Sequence, residues 1–457
     1  MPITSVNPAT EEEVARFDEH SREHVDKVLQ RAHDAQRDWR RLSFESRGAH
    51  LTQVARLLRE EKPRLAALAT EEMGKPLVEA AAEVEKCAWS MDWYAENSAQ
   101  LLASKEMPSN ATQSYVQYQP LGVVLAVMPW NFPYWQFFRA AAPALMAGNT
   151  VVLKHASNVP RCALAIEELF VRAGVPDGIA STLLVGPAAV AGLIADPRIA
   201  AVTLTGSDAA GSKVAEAAGK ALKKCVLELG GSDPFIVLDD ADLQLAATVG
   251  CRARNQNNGQ SCIAAKRFIV DRKVADEFEE LFVAAVKALK VGDPSDPATN
   301  VGPLARADLV ADLADQVGRT LAMGGRVLTG GKRLPGPGNY FEPTVMADIT
   351  RDMPVFREET FGPVAALIRV DGEEEAIAVA NDCDFGLGAA VWTRDPERGK
   401  ALAGQIEAGM VFVNGLVASD ARIPFGGVKR SGYGRELSEF GIKEFMNIQT
   451  VWVGPAR

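Results

Sequence analysis

The chain is constrained most by an alternation that begins near residue 122. Short apolar runs bounded by Gly, Pro, Asn or Asp take turns with Ala-rich amphipathic segments. The runs 122–127, 150–153, 181–185, 200–205 and 224–229 have strand length, and the segments between them, such as 162–173 and 209–220, have helical spacing. Strands separated by helices fold back as parallel neighbours, because a parallel pair needs a long crossover. After a break at Gly230 and Gly231 a second series follows, with runs at 235–238, 267–270, 364–369, 389–392 and 409–413. The expectation is an α/β chain with two parallel-sheet units. The first hundred residues read instead as helices over 23–39, 47–70 and 77–102. The Pro/Gly-rich stretch from Leu334 reads as a surface loop. Two β-rich segments, 114–120 and 447–454, stand outside both series. They read as a hairpin edge and a C-terminal strand, or as strands that pair between subunits, since an open edge is a liability.

Composition narrows the chemistry. The 457 residues, 47% of them hydrophobic, suffice for several domains and a large core. Lys+Arg number 49 against 59 Asp+Glu, a net charge of −10 without a basic block, so nucleic acid and anionic membrane are poor partners. No apolar stretch approaches the ~20 residues of a membrane span. The polar, acidic N-terminus is not a signal or transit peptide, and the expected location is cytoplasmic. Six cysteines lack CxxC spacing and are expected as reduced thiols. Four of the five histidines lie in the first fifty residues and the fifth is His155. With no zinc spacing, no HExxH and no GxSxG, no metal site is expected, and metal-dependent and serine-hydrolase chemistry are disfavoured.

Four segments have the means for chemistry. NQNNGQSC ends at Cys262 in a polar turn between apolar regions, the best placed of the cysteines to be reached from solvent; the others suit buried structural thiols. VLELGG puts Glu228 at the end of an apolar run, where a carboxyl has a raised pKa and serves as a base near neutrality. MPWNFPYWQFFR sets Asn131 directly after a strand, where a fixed amide can donate to an oxyanion. TLTGSDAAG leads through Gly206 and Ser207 into a helix whose first N–H groups suit a pyrophosphate. Singly, each is also compatible with a surface Glu, a turn Asn or an ordinary cap.

In their order along the chain, PWNFP, VVLK, TGS, ELGG, NxGQxC, EETFGP, PFGG and SGxGRE resemble the NAD(P)-dependent aldehyde dehydrogenase superfamily, from NPAT near the N-terminus to the last strand. PWNFPYWQ, VLKHASN and GLVASDARIPFGGVK look most like its short bacterial succinate-semialdehyde dehydrogenases. The resemblance implies the aldehyde dehydrogenase fold: a Rossmann-like cofactor domain (1–108 and 121–229), an α/β catalytic domain (230–440) and a small β oligomerisation element (109–120 and 441–457), assembled as a homodimer or homotetramer. It implies oxidation of a small carboxylated aldehyde, succinate semialdehyde to succinate, with NAD or NADP, through a cysteine thiohemiacetal and thioester. Cys262 is similar to the nucleophile, Asn131 and the Cys262 backbone N–H to the oxyanion donors, and Glu228 to the base for thioester hydrolysis. Lys154 and Glu359 match the residues on the adenosine and nicotinamide riboses, Gly206 and Ser207 the pyrophosphate turn, and Trp130 and Phe361 cofactor contacts. Arg139, two helical turns beyond Asn131, matches an arginine on the substrate carboxylate, with Ser419, Phe425 and, as a fallback, Arg422 nearby. Arg139 also suits a side chain snorkelling to a surface carboxylate.

Three departures matter. Ser157 stands where many NAD-preferring members have Glu, so a 2′-phosphate is not repelled. Ala264 replaces a second cysteine of some relatives, and Gln256 an arginine that helps bind the substrate carboxylate. Alternative substrates are glutarate semialdehyde or a broad aliphatic range. A cofactor-free cysteine esterase is disfavoured because no histidine follows His155. A catalytically silent scaffold would not require Cys262, Glu228, Asn131, Lys154 and Glu359 together.

Overall fold

The computed structural model describes residues 2–455. Each expected run of the first series forms a strand, and the sheet runs Gly432–Tyr433, Lys224–Glu228, Ile199–Thr205, Val123–Met128, Thr150–His155, Ala180–Thr182 in spatial order. All its pairs are parallel except that of Gly432–Tyr433. Thr150–His155 is buried at every position, as a sheet covered on both faces requires. The second series forms a seven-stranded sheet ordered Arg326–Thr329, Thr344–Ala347, Val364–Val370, Ala265–Asp271, Asp233–Val237, Gly388–Trp392, Met410–Val413. Its first two strands were not anticipated. They flank the Pro/Gly loop and pair antiparallel with each other.

The N-terminal hundred residues differ from expectation in two ways. Ile3–Val6 and Glu13–Phe17 pair as antiparallel strands. The segment 47–70 is two helices, Phe44–Glu60 and Lys62–Met73, separated at Glu61. Pro63 lies in the first turn of the second, where its missing N–H leaves no bond unmade. Phe44–Glu60 and Leu77–Leu101 pack on the Trp135–Met146 helix, with Leu51, Leu58, Met91 and Phe138 in one core, and Lys62–Met73 packs on Leu77–Leu101.

The β-rich segments pair with each other within the chain. Gln113–Pro120 runs antiparallel to Met446–Val453 from Pro120↔Met446 to Gln113↔Val453, with Lys105–Glu106 on its other edge. The Met446–Val453 strand keeps one open edge and exposes Ile448 and Trp452. Lys105–Glu106 belongs to this three-stranded sheet, where it covers an edge. Gly432–Tyr433 crosses to the first sheet, and so lays residues 424–436 against the strand that ends in Glu228.

Candidate active site

Asn131 follows the Val123–Met128 strand and is 4% exposed. Its Nδ2 donates to the Gln260 carbonyl at 3.1 Å, which ties it to the cysteine loop. The next four residues are held by a buried pair that the sequence did not suggest. Glu83 Oε1 accepts from the Tyr134 and Trp135 backbone N–H groups, both at 2.8 Å. These are orphan donors at the start of the Trp135–Met146 helix, so the carboxylate caps it. Lys75 pairs with Glu83 Oε2 and lies 3.8 Å from the centroid of the Phe132 ring. His155 Nε2 and the Pro133 carbonyl are 2.8 Å apart. The Ala156 N–H donates to His155 Nδ1, which leaves Nε2 to carry the proton. Burial pushes this ring down to about 4, so it stays neutral.

The polar turn before Cys262 is rigid rather than flexible. Asn257 and Asn258 take φ of 57° and 58°, a region Asn tolerates better than most residues. Asn258 donates to the carbonyls of Gly74 (2.8 Å) and Pro303 (2.9 Å), and Asn257 to those of Asn131 (2.8 Å) and Gln260 (3.0 Å). A Cβ at Gly259 would come within 2.5 Å of the Gly362 backbone. Lys266 Nζ, on the following strand, donates to the carbonyls of Ser261 (3.0 Å) and Cys262 (2.8 Å). The Cys262 side chain is half-buried. Burial pushes its thiol up to about 12, against the pull of Arg139 and Lys266.

Glu228 is 1% exposed, and among the described residues no donor reaches either oxygen. Burial first, then the Glu436 charge, push its carboxyl well above the usual range, while Arg139 opposes them. PFGG has a steric reason: a Cβ at Gly426 would lie 2.8 Å from Glu228 Oε1. ELGG has another. A Cβ at Gly230 would meet Glu359 Oε2 at 2.6 Å, and one at Gly231 the Cys262 carbonyl at 2.5 Å. The two glycines let Glu359 and the Cys262 carbonyl approach this backbone, and the Gly231 N–H donates to Glu359 Oε1 at 3.0 Å.

Arg139 does not snorkel to the surface. It is 2% exposed, its Nε pairs with the equally buried Glu436, its second terminal nitrogen donates to Thr205 Oγ1 at 3.2 Å, and it sits 4.4 Å from the Phe425 ring centroid. Arg422 is engaged elsewhere, held by Asp420 at 2.6 and 2.8 Å, and does not line the cavity beside Cys262. That cavity, about 200 Å³, is walled by Cys262, Arg139, Ser419, Phe425, Gln256, Phe132 and Trp135. It also carries Lys86, Glu79 and Glu83 from the Leu77–Leu101 helix and Arg252 at an exposed position. Glu79, Glu83 and Lys86 recur at spacings of four and three on one helix face. That periodic charge is a usable signal, but it resembles an ordinary solvated stripe.

The remaining residues line the ends of the first sheet. Lys154 ends its strand 6% exposed; burial lowers its pKa, against the pull of Glu19. Ser157 is exposed in the turn that follows. Gly206 precedes Ser207, whose Oγ caps the Asp208–Lys220 helix by accepting from the Ala210 N–H at 3.3 Å. Trp130 meets Phe361 edge-on at 5.7 Å. Phe361 and Glu359 line a neighbouring cavity of about 300 Å³. The residues are chemically suited to a dinucleotide: the helix start at Ser207 has N–H groups for a pyrophosphate, and Lys154 and Glu359 could hydrogen-bond ribose hydroxyls. Among the described residues no His/Cys/Asp/Glu group is arranged for a metal, and no helix is long and apolar enough to cross a membrane.

The chain is an aldehyde-oxidising oxidoreductase, for it belongs to the aldehyde dehydrogenase family, whose profile matches residues 1–451. It is 54% identical over 453 residues to a Synechocystis sp. protein named probable succinate-semialdehyde dehydrogenase (NADP+), covering 99% of this chain and 100% of the relative. It is 51% identical over 456 residues to succinate-semialdehyde dehydrogenase (NADP+) 1 of Mycobacterium tuberculosis, with 99% and 100% covered. The crystal structure of the Streptococcus pyogenes succinic semialdehyde dehydrogenase in complex with NADP+ superposes with a TM-score of 0.97, at 43% identity, covering 99% and 100% of the two chains.

Proposed function

We propose that this enzyme oxidises succinate semialdehyde to succinate with NADP+. The observation that carries the proposal is the small cavity at Cys262, about 200 Å³, whose walls bring Lys86, Arg139 and Arg252 beside the thiol. Such a cavity suits a short aldehyde with a carboxylate at its other end. The names of the relatives support the same substrate and cofactor. Ser157, which adds no charge beside the Lys154 strand end, supports admission of a 2′-phosphate.

In this reading the Cys262 thiol gives up its proton to solvent and the thiolate sulfur adds to the aldehyde carbon. The developing oxyanion accepts from the Asn131 amide and the Cys262 backbone N–H, both fixed before reaction. NADP+, when bound, would supply the hydride acceptor, and Lys154, Ser157, Gly206, Ser207, Glu359, Trp130 and Phe361 would hold it. Glu228 in its ionised form then takes a proton from water as the oxygen attacks the thioester carbonyl, and the Cys262 thiolate leaves. Burial raises the Glu436 carboxyl, and Arg139, paired with it, opposes that shift. A cofactor-free esterase would need another base, and buried, neutral His155 does not line the cavity. The open Met446–Val453 edge with exposed Ile448 and Trp452 supports a homodimer or homotetramer. The six free cysteines suit a reducing, cytoplasmic setting. Initial rates with succinate semialdehyde, glutarate semialdehyde and butanal, each with NAD+ and NADP+, test the proposal. A higher kcat/KM for butanal than for succinate semialdehyde would overturn it.

A further inference from the structure

We infer, resting on the reading of Cys262 as nucleophile given above, that Lys266 is a positioning residue for the oxidation: it orients and polarises the peptide between Ser261 and Cys262, whose N–H is the proposed oxyanion donor.

Lys266 stands where a lysine is least expected. Its strand, Ala265–Asp271, lies between two others inside the seven-stranded sheet and is buried at every position. The Lys266 side chain is 0% exposed, and a buried ammonium is costly unless its N–H groups are met. Arg267, the next residue, projects to the opposite face and braces the carbonyls of Ser232 (2.9 Å), Val379 (2.9 Å) and Ala380 (3.0 Å). Lys266 is aimed instead at the cysteine turn. Its Nζ donates to the Ser261 and Cys262 carbonyls and lies 3.5 Å from Glu359 Oε1, so Glu359 supplies its counter-charge. Burial lowers the ammonium and the Arg254 charge adds to this, while Glu359, Asp233 and Cys262 oppose.

The peptide it grips has two sides. The Ser261 carbonyl and the Cys262 N–H belong to one planar trans unit and point in opposite directions. The carbonyl accepts from Lys266 Nζ at 3.0 Å and from the Ala264 N–H at 3.2 Å, which engages both of its lone pairs. The Cys262 N–H on the far side meets no acceptor among the described residues. A cation on the carbonyl draws electron density across the amide and makes that N–H a stronger donor. Lys266 does not line the cavity beside Cys262, so it acts on the reaction only through this peptide and through its field. Burial raises the Cys262 thiol; Arg139 and Lys266 pull it down, against Glu359 and Asp233. Arg254, the other buried cation nearby, donates to the carbonyls of Gly259 (2.5 Å) and Thr360 (3.4 Å) and leaves this peptide to Lys266.

The test compares wild type, Lys266→Met and Lys266→Gln in two readouts. One is kcat and KM for succinate semialdehyde with NADP+. The other is the rate at which iodoacetamide alkylates Cys262 at pH 8 in the enzyme without cofactor, followed by mass spectrometry of the Cys262 peptide. Removing an oxyanion donor outright costs about 100- to 1,000-fold in kcat, and weakening one costs less, so Lys266→Met should lose about 10- to 100-fold in kcat with KM within about threefold. Alkylation should slow by about three- to tenfold, because the thiol loses a cation that favours its thiolate. Lys266→Gln returns a neutral donor to the carbonyls, so kcat should recover in part while alkylation stays slow. Alkylation as fast as in wild type or faster, beside a lowered kcat, would show that Lys266 only props the turn, since a loosened turn uncovers the thiol, and overturns the inference. A kcat within about threefold of wild type in Lys266→Met overturns it as well. Should Lys266→Met not accumulate, alkylation of Lys266→Gln decides in the same way. A wild type that still oxidises the aldehyde once Cys262 is alkylated refutes the nucleophile reading itself. A wild type inactivated by alkylation, beside a Lys266→Met enzyme that behaves like it, refutes only the role of Lys266.

Discussion

The Lys75–Glu83 pair is a sharp test of how the oxyanion segment is held. Their side chains are 1% and 2% exposed. Glu83→Gln retains an oxygen for the Tyr134 and Trp135 N–H groups but leaves Lys75 buried without its counter-charge. Removing one partner of a buried pair costs about 3–5 kcal/mol, and the low end applies here because the cap survives. Lys75→Met leaves the carboxylate with two N–H donors and loses the Phe132 ring contact, at about 2–3 kcal/mol. The double variant buries no unpaired charge. It should therefore be more stable than the sum of the singles implies, with a coupling of about 2–3 kcal/mol. Urea-denaturation midpoints of the four proteins, followed by tryptophan fluorescence, measure this. Asn131 directly precedes the clamped residues, so kcat should fall in Glu83→Gln and partly return in the double variant. Additive losses in both readouts would show that the two side chains do not act as a pair.

Cys262→Ala should lose ~10⁴-fold or more in aldehyde oxidation while NADP+ binding, read by fluorescence titration, persists; activity within tenfold of wild type would remove Cys262 from the mechanism. Glu228→Gln should give a stopped-flow burst of one reduced cofactor per site and then stall, and a missing burst in a folded variant would place Glu228 before hydride transfer. Ser157→Glu should shift the kcat/KM ratio toward NAD+, since a carboxylate repels a 2′-phosphate; an unchanged ratio would take Ser157 out of the ribose pocket.

The strands were legible because burial on both faces writes a continuous apolar run, as in Thr150–His155. The candidate catalytic and cofactor residues rest on the resemblance, and the glycines of PFGG and ELGG have a physical reason in close approach to Glu228, Glu359 and the Cys262 carbonyl. The strands Arg326–Thr329 and Thr344–Ala347 were not legible, because each is four residues long beside a loop rich in Pro and Gly. The N-terminal strands were hidden by polar, partly exposed residues. Lys75, Glu83 and Lys86 were missed because helical periodicity says which residues share a face and not what covers it. Only the packing of the Leu77–Leu101 helix against the Trp135–Met146 helix turns a charged stripe into a capping carboxylate and a cavity wall.

The charges around Cys262 and Glu228 act on both groups that the proposed mechanism uses. The thiol of Cys262 and the carboxyl of Glu228 are each pushed toward the protonated form by burial. Glu436 adds to this at Glu228, while Arg139 opposes it at both groups. Arg139 therefore acts at once on the proposed nucleophile and the proposed base. Its loss would leave Glu436 buried and unpaired and would raise Glu228 further, at the step where the proposed mechanism has Glu228 take a proton.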